Sequence, residues 1–167
     1  DLARRDFTVN AMASSPTRGL CDPFGGQADI ARRIIRCVGD ARTRFTEDAL
    51  RMLRAVRFAV TLGFTLEADT AAAICACAPR ITHISAERIR EGLNKILLSA
   101  DPKTGLVLLH QTGLLAQILP EVEACAGVAQ HIKYHLYDVF THTCIVVAHT
   151  PPTLPLRWAA LLHDVGK

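Results

Sequence analysis

The chain has 167 residues, half of them hydrophobic, and a formal charge of +3 at pH 7, which is enough apolar material for one domain or two small ones with a sizeable core. It has no initiator Met, charged n-region or apolar run approaching about 18 residues, so no secretory signal or membrane span is readable and the default compartment is the cytoplasm. The charge is uneven: residues 1–60 hold 11 Arg, no Lys and 7 acids, a balance of +4, against −1 for the remainder. Arginine used to the exclusion of lysine suits two-pronged recognition of phosphates or base edges. A GC-rich genome that favours arginine codons would give the same composition.

In chain order, residues 1–9 alternate well enough to predict a short strand, and "NAMASS" reads as a helical start with Asn10 as a cap. Turn chemistry follows at Asp22-Pro23 and Gly25-Gly26, then a short helix from about Ala28 and a strand at 34–38. After Asp40 the texture turns helical. With Thr46 as the N-cap, Ala49, Met52, Leu53, Val56 and Val60 recur at helical spacing, and Gly63 marks the stop. Further helices are predicted at 66–78, 85–98, 102–111, 136–149 and 156–164, separated by Pro79, Pro102, Gly113, Pro120 and the "TPPTLP" run. The expected class is mainly α: a residual α/β edge followed by a helical array. The six cysteines, scattered through apolar segments, are expected to be buried free thiols. Both ends begin or stop inside patterned segments, as in a piece of a longer protein.

The stretch "FTEDALRMLRAVRFAVTLGF" carries Glu47 and Asp48 followed by Arg51, Arg54 and Arg57 on the face opposite the apolar stripe. A solvated face laced with intrahelical salt bridges accounts for that spacing. A nucleotide site accounts for it too. A carboxylate accepts hydrogen bonds and a guanidinium donates them, so Asp48 beside Arg51 presents an acceptor next to a donor. Cytosine and adenine show the complementary amino group and ring nitrogen, whereas uracil and guanine show the reverse. Arg54 and Arg57 would then meet ribose and phosphates.

Four segments, "RRDFTVNAMA" at 4–13, "DPFGGQADIARRIIRCVGD" at 22–40, "RFTEDALRMLRAVRFAVTLGF" at 44–64 and "ISAERIREGLNKILLS" at 84–99, resemble in order and spacing the motifs of the bacterial class II CCA-adding enzymes and related poly(A) polymerases. The resemblance implies that Arg5 and Asp6 bind the sugar and phosphates of an incoming nucleotide. It implies that Asp48 and Arg51 act as a protein template for CTP and then ATP, with Arg54 and Arg57 also on the nucleotide. Arg4 is the weaker candidate as a direct contact, and Glu87 and Arg88 match a motif that braces the neck helices. Ala49 stands where the family often has Pro, and either is tolerated there. The implied divisions are 1–40, the C-terminal edge of a nucleotidyltransferase head; 41–126, a helical neck and body; and 127–167, the start of an HD domain. The family's G-S-x-x-D-x-D segment, whose aspartates hold Mg2+ for transfer, does not occur in this sequence and is expected upstream of Asp1, so this chain is not expected to catalyse transfer by itself.

His142, followed about twenty residues later by His163-Asp164, resembles the opening of an HD domain, whose ligands hold a divalent metal for phosphohydrolysis. A final aspartate of that pattern is expected beyond Lys167. The resulting expectation is a tRNA nucleotidyltransferase taking CTP, ATP and tRNA, with no membrane partner. A poly(A) polymerase, an HD phosphohydrolase with a helical arm, and a non-catalytic RNA-binding module are the alternatives.

Overall fold

The computed structural model describes residues 1–129 and 137–166. It is mainly α. The start differs from the predicted strand and helix: 3-10 turns occupy Leu2–Arg4 and Thr8–Asn10, and Phe7 between them makes a single antiparallel bridge to Cys37. "NAMASS" runs instead into strand β1 (Ala13–Ser15), paired antiparallel with β2 (Gly19–Cys21). Asn10 bonds backward, its Oδ1 accepting from the Phe7 N–H.

Helix α1 (Gly26–Arg32) starts two residues before the predicted point because the Asp22 carboxylate accepts from the Gly26 and Gln27 N–H groups at 2.7 and 2.9 Å. Gly26 has no side chain to spare: a Cβ there would run into the Thr8 carbonyl and Met12. That contact locks α1 to the 3-10 turn after Asp6. Strand β3 (Ile34–Ile35) is shorter than the predicted 34–38 and pairs in parallel with β4 (Thr65–Leu66).

The helix predicted with Thr46 as its N-cap starts later, at Leu50, and a separate, unpredicted helix precedes it. Helix α2 (Ala41–Glu47) is capped by Asp40, which accepts from Thr43 N–H at 2.7 Å, and Thr46 lies inside it. Asp48 is extended (φ −150°, ψ 106°) and breaks the run before α3 (Leu50–Leu62). Gly63 closes α3 in the left-handed region, as its place after the last apolar residue predicts.

Acidic caps also start α4 (Ala68–Cys77) at Glu67, α6 (Pro102–Gln111) at Asp101 and α9 (Val139–His149) at Asp138. Between them lie α5 (Ala86–Leu97), and the short α7 (Leu114–Ile118) and α8 (Pro120–Glu123), which periodicity did not reveal. Helix α10 is Leu154–Leu162, so His163 and Asp164 follow it in a turn. The predicted start of α9 at Leu136 lies outside the described residues.

Helix α3 is the central post. Met52, Leu53, Ala55, Val56 and Ala59 are buried on it, and it packs on α5 and α6 while α6 packs on α9 and α9 on α10. One cluster of buried apolar side chains runs without a break from Phe7 to Leu161. All six cysteines are free, but Cys21 and Cys75 are exposed, against the expectation that all are buried. Cys21 sits on β2, whose three residues are all exposed, and Cys75 lies on an exposed face of α4.

Candidate functional site

Residues about fifty apart in sequence meet at one cleft of ≈ 230 Å³, where Arg4, Arg5 and Asp6 from the first turn face Asp48, Arg51 and Arg54. Asp6 is 5% exposed, and both its oxygens are engaged: Oδ2 accepts from Arg54 Nε at 2.6 Å and Oδ1 from Asn10 Nδ2 at 2.7 Å. Burying a carboxylate is costly unless such partners meet it. Its effect is to hold the Arg54 guanidinium at the cleft wall.

Arg51 is fixed from three sides. One terminal nitrogen donates to Glu47 Oε2 at 2.6 Å and to the Arg44 carbonyl at 3.2 Å, and the other donates to the Arg4 carbonyl at 3.2 Å. The i, i+4 pair of Glu47 with Arg51 forms as the spacing predicts, even though Asp48 interrupts the helix between them. Asp48 uses Oδ1 to accept from the Leu50 N–H at 3.0 Å and Oδ2 to accept from Arg88 at 3.3 Å. Asp48 and Arg51 therefore share the cleft wall, each held by different partners.

Arg57 faces a neighbouring groove with Leu53, Arg54, Arg88, Glu91 and Lys95. Its guanidinium lies 4.7 Å from the centre of the Phe58 ring, a cation–π contact. Burial, and next the adjacent Arg54 charge, push its pKa below the ordinary arginine value. Leu50, Arg54 and Arg88 line both spaces, so groove and cleft adjoin.

Arg88 is a cleft residue that sequence reasoning left outside the site. Its motif marked it as a brace, and it does tie α5 to the head of α3 through Asp48. The two roles coincide because Asp48 stands at the helix break where α3, α5 and the cleft meet.

At the other end of the chain, His142 on α9 and His163 and Asp164 after α10 place one ligand atom each within 4.8 Å of one another. His163 Nε2 lies 3.4 Å and His142 Nε2 3.8 Å from Asp164 Oδ2. His163 Nδ1 is 2.7 Å from the Ala160 carbonyl, which fixes the proton on Nδ1 and leaves the Nε2 lone pair toward the cluster. Because Asp164 lies in the turn beyond α10, two adjacent residues converge where a continuous helix would have splayed them. Two imidazoles and a buried carboxylate at these separations fit a divalent ion.

Residues 1–36 match the family described as "Poly A polymerase head domain", and residues 63–125 the one described as "Probable RNA and SrmB- binding site of polymerase A". Over its whole length the chain is 43% identical to the A-adding tRNA nucleotidyltransferase of Deinococcus radiodurans and 42% identical to the multifunctional CCA protein of Dechloromonas aromatica. The chain belongs to the bacterial class II tRNA nucleotidyltransferase and poly(A) polymerase family. It spans 40% and 42% of those two relatives. Among solved structures, the family's CCA-adding enzyme of Bacillus stearothermophilus in complex with CTP superposes with a TM-score of 0.81 at 41% identity, over 99% of this chain and 39% of that one. The Thermotoga maritima CCA-adding enzyme complexed with tRNA_CCA shares the fold, with a TM-score of 0.66 at 23% identity over 100% of this chain and 44% of its own. Asp48 and Arg51 lie between the two matched family ranges, and His142, His163 and Asp164 lie after both.

Proposed function

We propose that this chain is the nucleotide-selecting and RNA-facing part of a cytoplasmic tRNA nucleotidyltransferase that adds C, C and A to tRNA 3′ ends. The observation that carries the reading is the single cleft in which Arg5 and Asp6 meet Asp48, Arg51 and Arg54. The Asp48 carboxylate accepts from the exocyclic amino group of cytosine or adenine while Arg51 donates to the adjacent ring nitrogen. Uracil and guanine would set carbonyl against carboxylate and N–H against guanidinium. Arg5, Arg54 and Arg57 take the ribose and phosphates, with Asp6 holding Arg54 in place. The chain divides, on the same reading, into a head edge at 1–40, a neck and body at 41–126 and the start of an HD domain at 127–167.

The cleft carboxylates of this chain do not suit the transfer metal. Asp6 is paired with the Arg54 guanidinium and Asp48 with that of Arg88, cations that would repel a metal ion, whereas a neutral amino group can still share an Asp48 oxygen. We therefore assign Mg2+ to carboxylates outside these 167 residues. At the distal cluster His142, His163 and Asp164 do fit a divalent ion, and when bound it would supply Lewis-acid chemistry for phosphohydrolysis. His163 is held in the ligating tautomer by the Ala160 carbonyl.

The test is single-nucleotide addition to a tRNA transcript lacking its CCA end, by the protein that contains this chain, with each nucleoside triphosphate alone and then CTP with ATP. Ordered addition of two C and one A is expected. Because one 43% identical relative is an A-adding enzyme, addition of A alone to a transcript already ending in CC is the second reading. Untemplated runs of A on unrelated RNA would move the assignment to a poly(A) polymerase.

A further inference from the structure

Asp48 and Arg88 form a partition. On one side is the cleft described above; on the other is a second, larger cleft of ≈ 380 Å³ whose far wall carries Arg80 and His83. The acids that line this second space are already engaged. Glu47 pairs with Arg44 at 3.2 Å and Arg51 at 2.6 Å, and Asp48 with Arg88 and the Leu50 N–H. Arg80 and His83 are exposed and have no carboxylate partner among the described residues. They sit three apart on the 3-10 segment Ala78–His83, and at a 3-10 repeat of three residues per turn their side chains leave on the same side. That segment is rigidly seated: Pro79 opens it, and Ala78 and Ile81 are buried beneath it.

We propose that this second cleft binds a phosphodiester of single-stranded RNA, with Arg80 and His83 as the donors. The proposal rests on the nucleotidyltransferase reading and adds to it a place for the strand. A guanidinium beside an imidazole suits one singly charged backbone phosphate, whereas the first cleft, with Arg4, Arg5, Arg51 and Arg54, has the cation density for a triphosphate. Both residues also fall within the 63–125 stretch that matches the RNA-binding family.

The experiment is a fluorescence-anisotropy titration of a short labelled single-stranded RNA over a salt series, with CTP binding measured in parallel by calorimetry. Arg80→Ala is expected to weaken RNA binding roughly threefold to tenfold and to shrink the log–log salt slope by about 0.7, the loss of one phosphate contact. Arg80→Lys should restore the slope, His83→Ala should weaken RNA binding, and CTP affinity should stay within about twofold in all three, a shift under about 0.4 kcal/mol. An unchanged RNA affinity and slope in both Arg80→Ala and Arg80→Glu, with an unchanged circular dichroism spectrum, overturns the proposal. So does wild-type protein that binds no RNA, or an equal loss of CTP and RNA affinity in Arg80→Ala, which would make the space part of the nucleotide site. Wild-type protein that binds RNA in an Arg80-dependent way but neither CTP nor ATP would instead overturn the nucleotide-selecting reading and leave the RNA cleft standing.

Discussion

Arg54 Nε lies 2.6 Å from Asp6 Oδ2, joining the first turn of the chain to the middle of α3 across 48 positions. Asp6 is buried and Arg54 is 39% exposed, so the pair is half shielded from solvent. Arg54→Ala leaves the Asp6 carboxylate with Asn10 as its one side-chain donor, at an expected cost of about 1 to 3 kcal/mol, the lower end reflecting solvent screening at the arginine. Urea unfolding checks this through a lower midpoint at unchanged slope. CTP affinity should fall further in Arg54→Ala than in Asn10→Ala, because only the first removes a cleft cation.

Base selection is expected to follow Asp48 and Arg51. Asp48→Ala or Arg51→Ala should bring the affinities for CTP and ATP toward those for UTP and GTP, a loss of discrimination of about 1 to 3 kcal/mol as a half-buried polar group loses its match. Competition calorimetry with the four triphosphates measures it. Discrimination that survives both substitutions would remove the template assignment.

Gly26→Ala is expected to destabilise the chain by about 1 to 3 kcal/mol, because its new Cβ meets the Thr8 carbonyl, which cannot rotate aside as a side-chain end can. Shifting Thr8 also drags Asp6, two residues earlier, so nucleotide affinity should fall with stability. Gly25→Ala meets no neighbour but must hold φ 73°, at a cost of about 1 kcal/mol. Thermal unfolding of the two variants side by side separates steric from conformational cost.

Thiol reactivity should divide the cysteines. Burial pushes the Cys37 and Cys144 thiols up to about 12, so at neutral pH neither offers a thiolate. Cys77 and Cys125 are also buried. An aromatic disulfide reagent is expected to label Cys21 and Cys75 quickly in the native protein and the other four only after denaturant is added. Fast native labelling of Cys37 would contradict its burial beside Thr70 of α4.

Addition of Mn2+ or Zn2+ should raise the melting temperature through the His142, His163 and Asp164 cluster. At 100 times the dissociation constant the gain is about 2.7 kcal/mol. His163→Ala and Asp164→Asn are expected to abolish the metal-dependent shift while Arg51→Ala retains it. Differential scanning calorimetry with and without chelator reads the result.

The elements most legible in the sequence were those with both ends marked. Helix α6 matches its predicted bounds because Asp101 caps it, Pro102 suits the first turn and Gly113 follows soon after. The break at Asp48 was illegible because the apolar spacing of Ala49, Met52 and Leu53 continues the frame of Phe45, so the periodicity carries no trace of the extended backbone between them. Alternation over 1–9 misled for the opposite reason: it arises from Phe7 burying its ring against Phe58 between polar neighbours, and a single bridge suffices for that. The convergence of Arg5 with Arg51 and Arg54 was open to motif comparison alone, since no local pattern reports a contact across some fifty residues. Arg88 in the same cleft went unread because one side chain serves as both brace and lining.

Two of the three acceptors that hold Arg51 are main-chain carbonyls, those of Arg44 and Arg4. Side-chain replacement at positions 4 or 44 leaves those oxygens where they are, so the guanidinium's orientation is insulated from most single-codon changes around it. A lysine at 51 would keep the charge but could not reach three divergent acceptors from one ammonium centre. Re-aiming the guanidinium, as distinct from removing it, would therefore mean rerouting the polypeptide at the first turn or at the α2 terminus, a change available to insertions and deletions before it is available to point substitution.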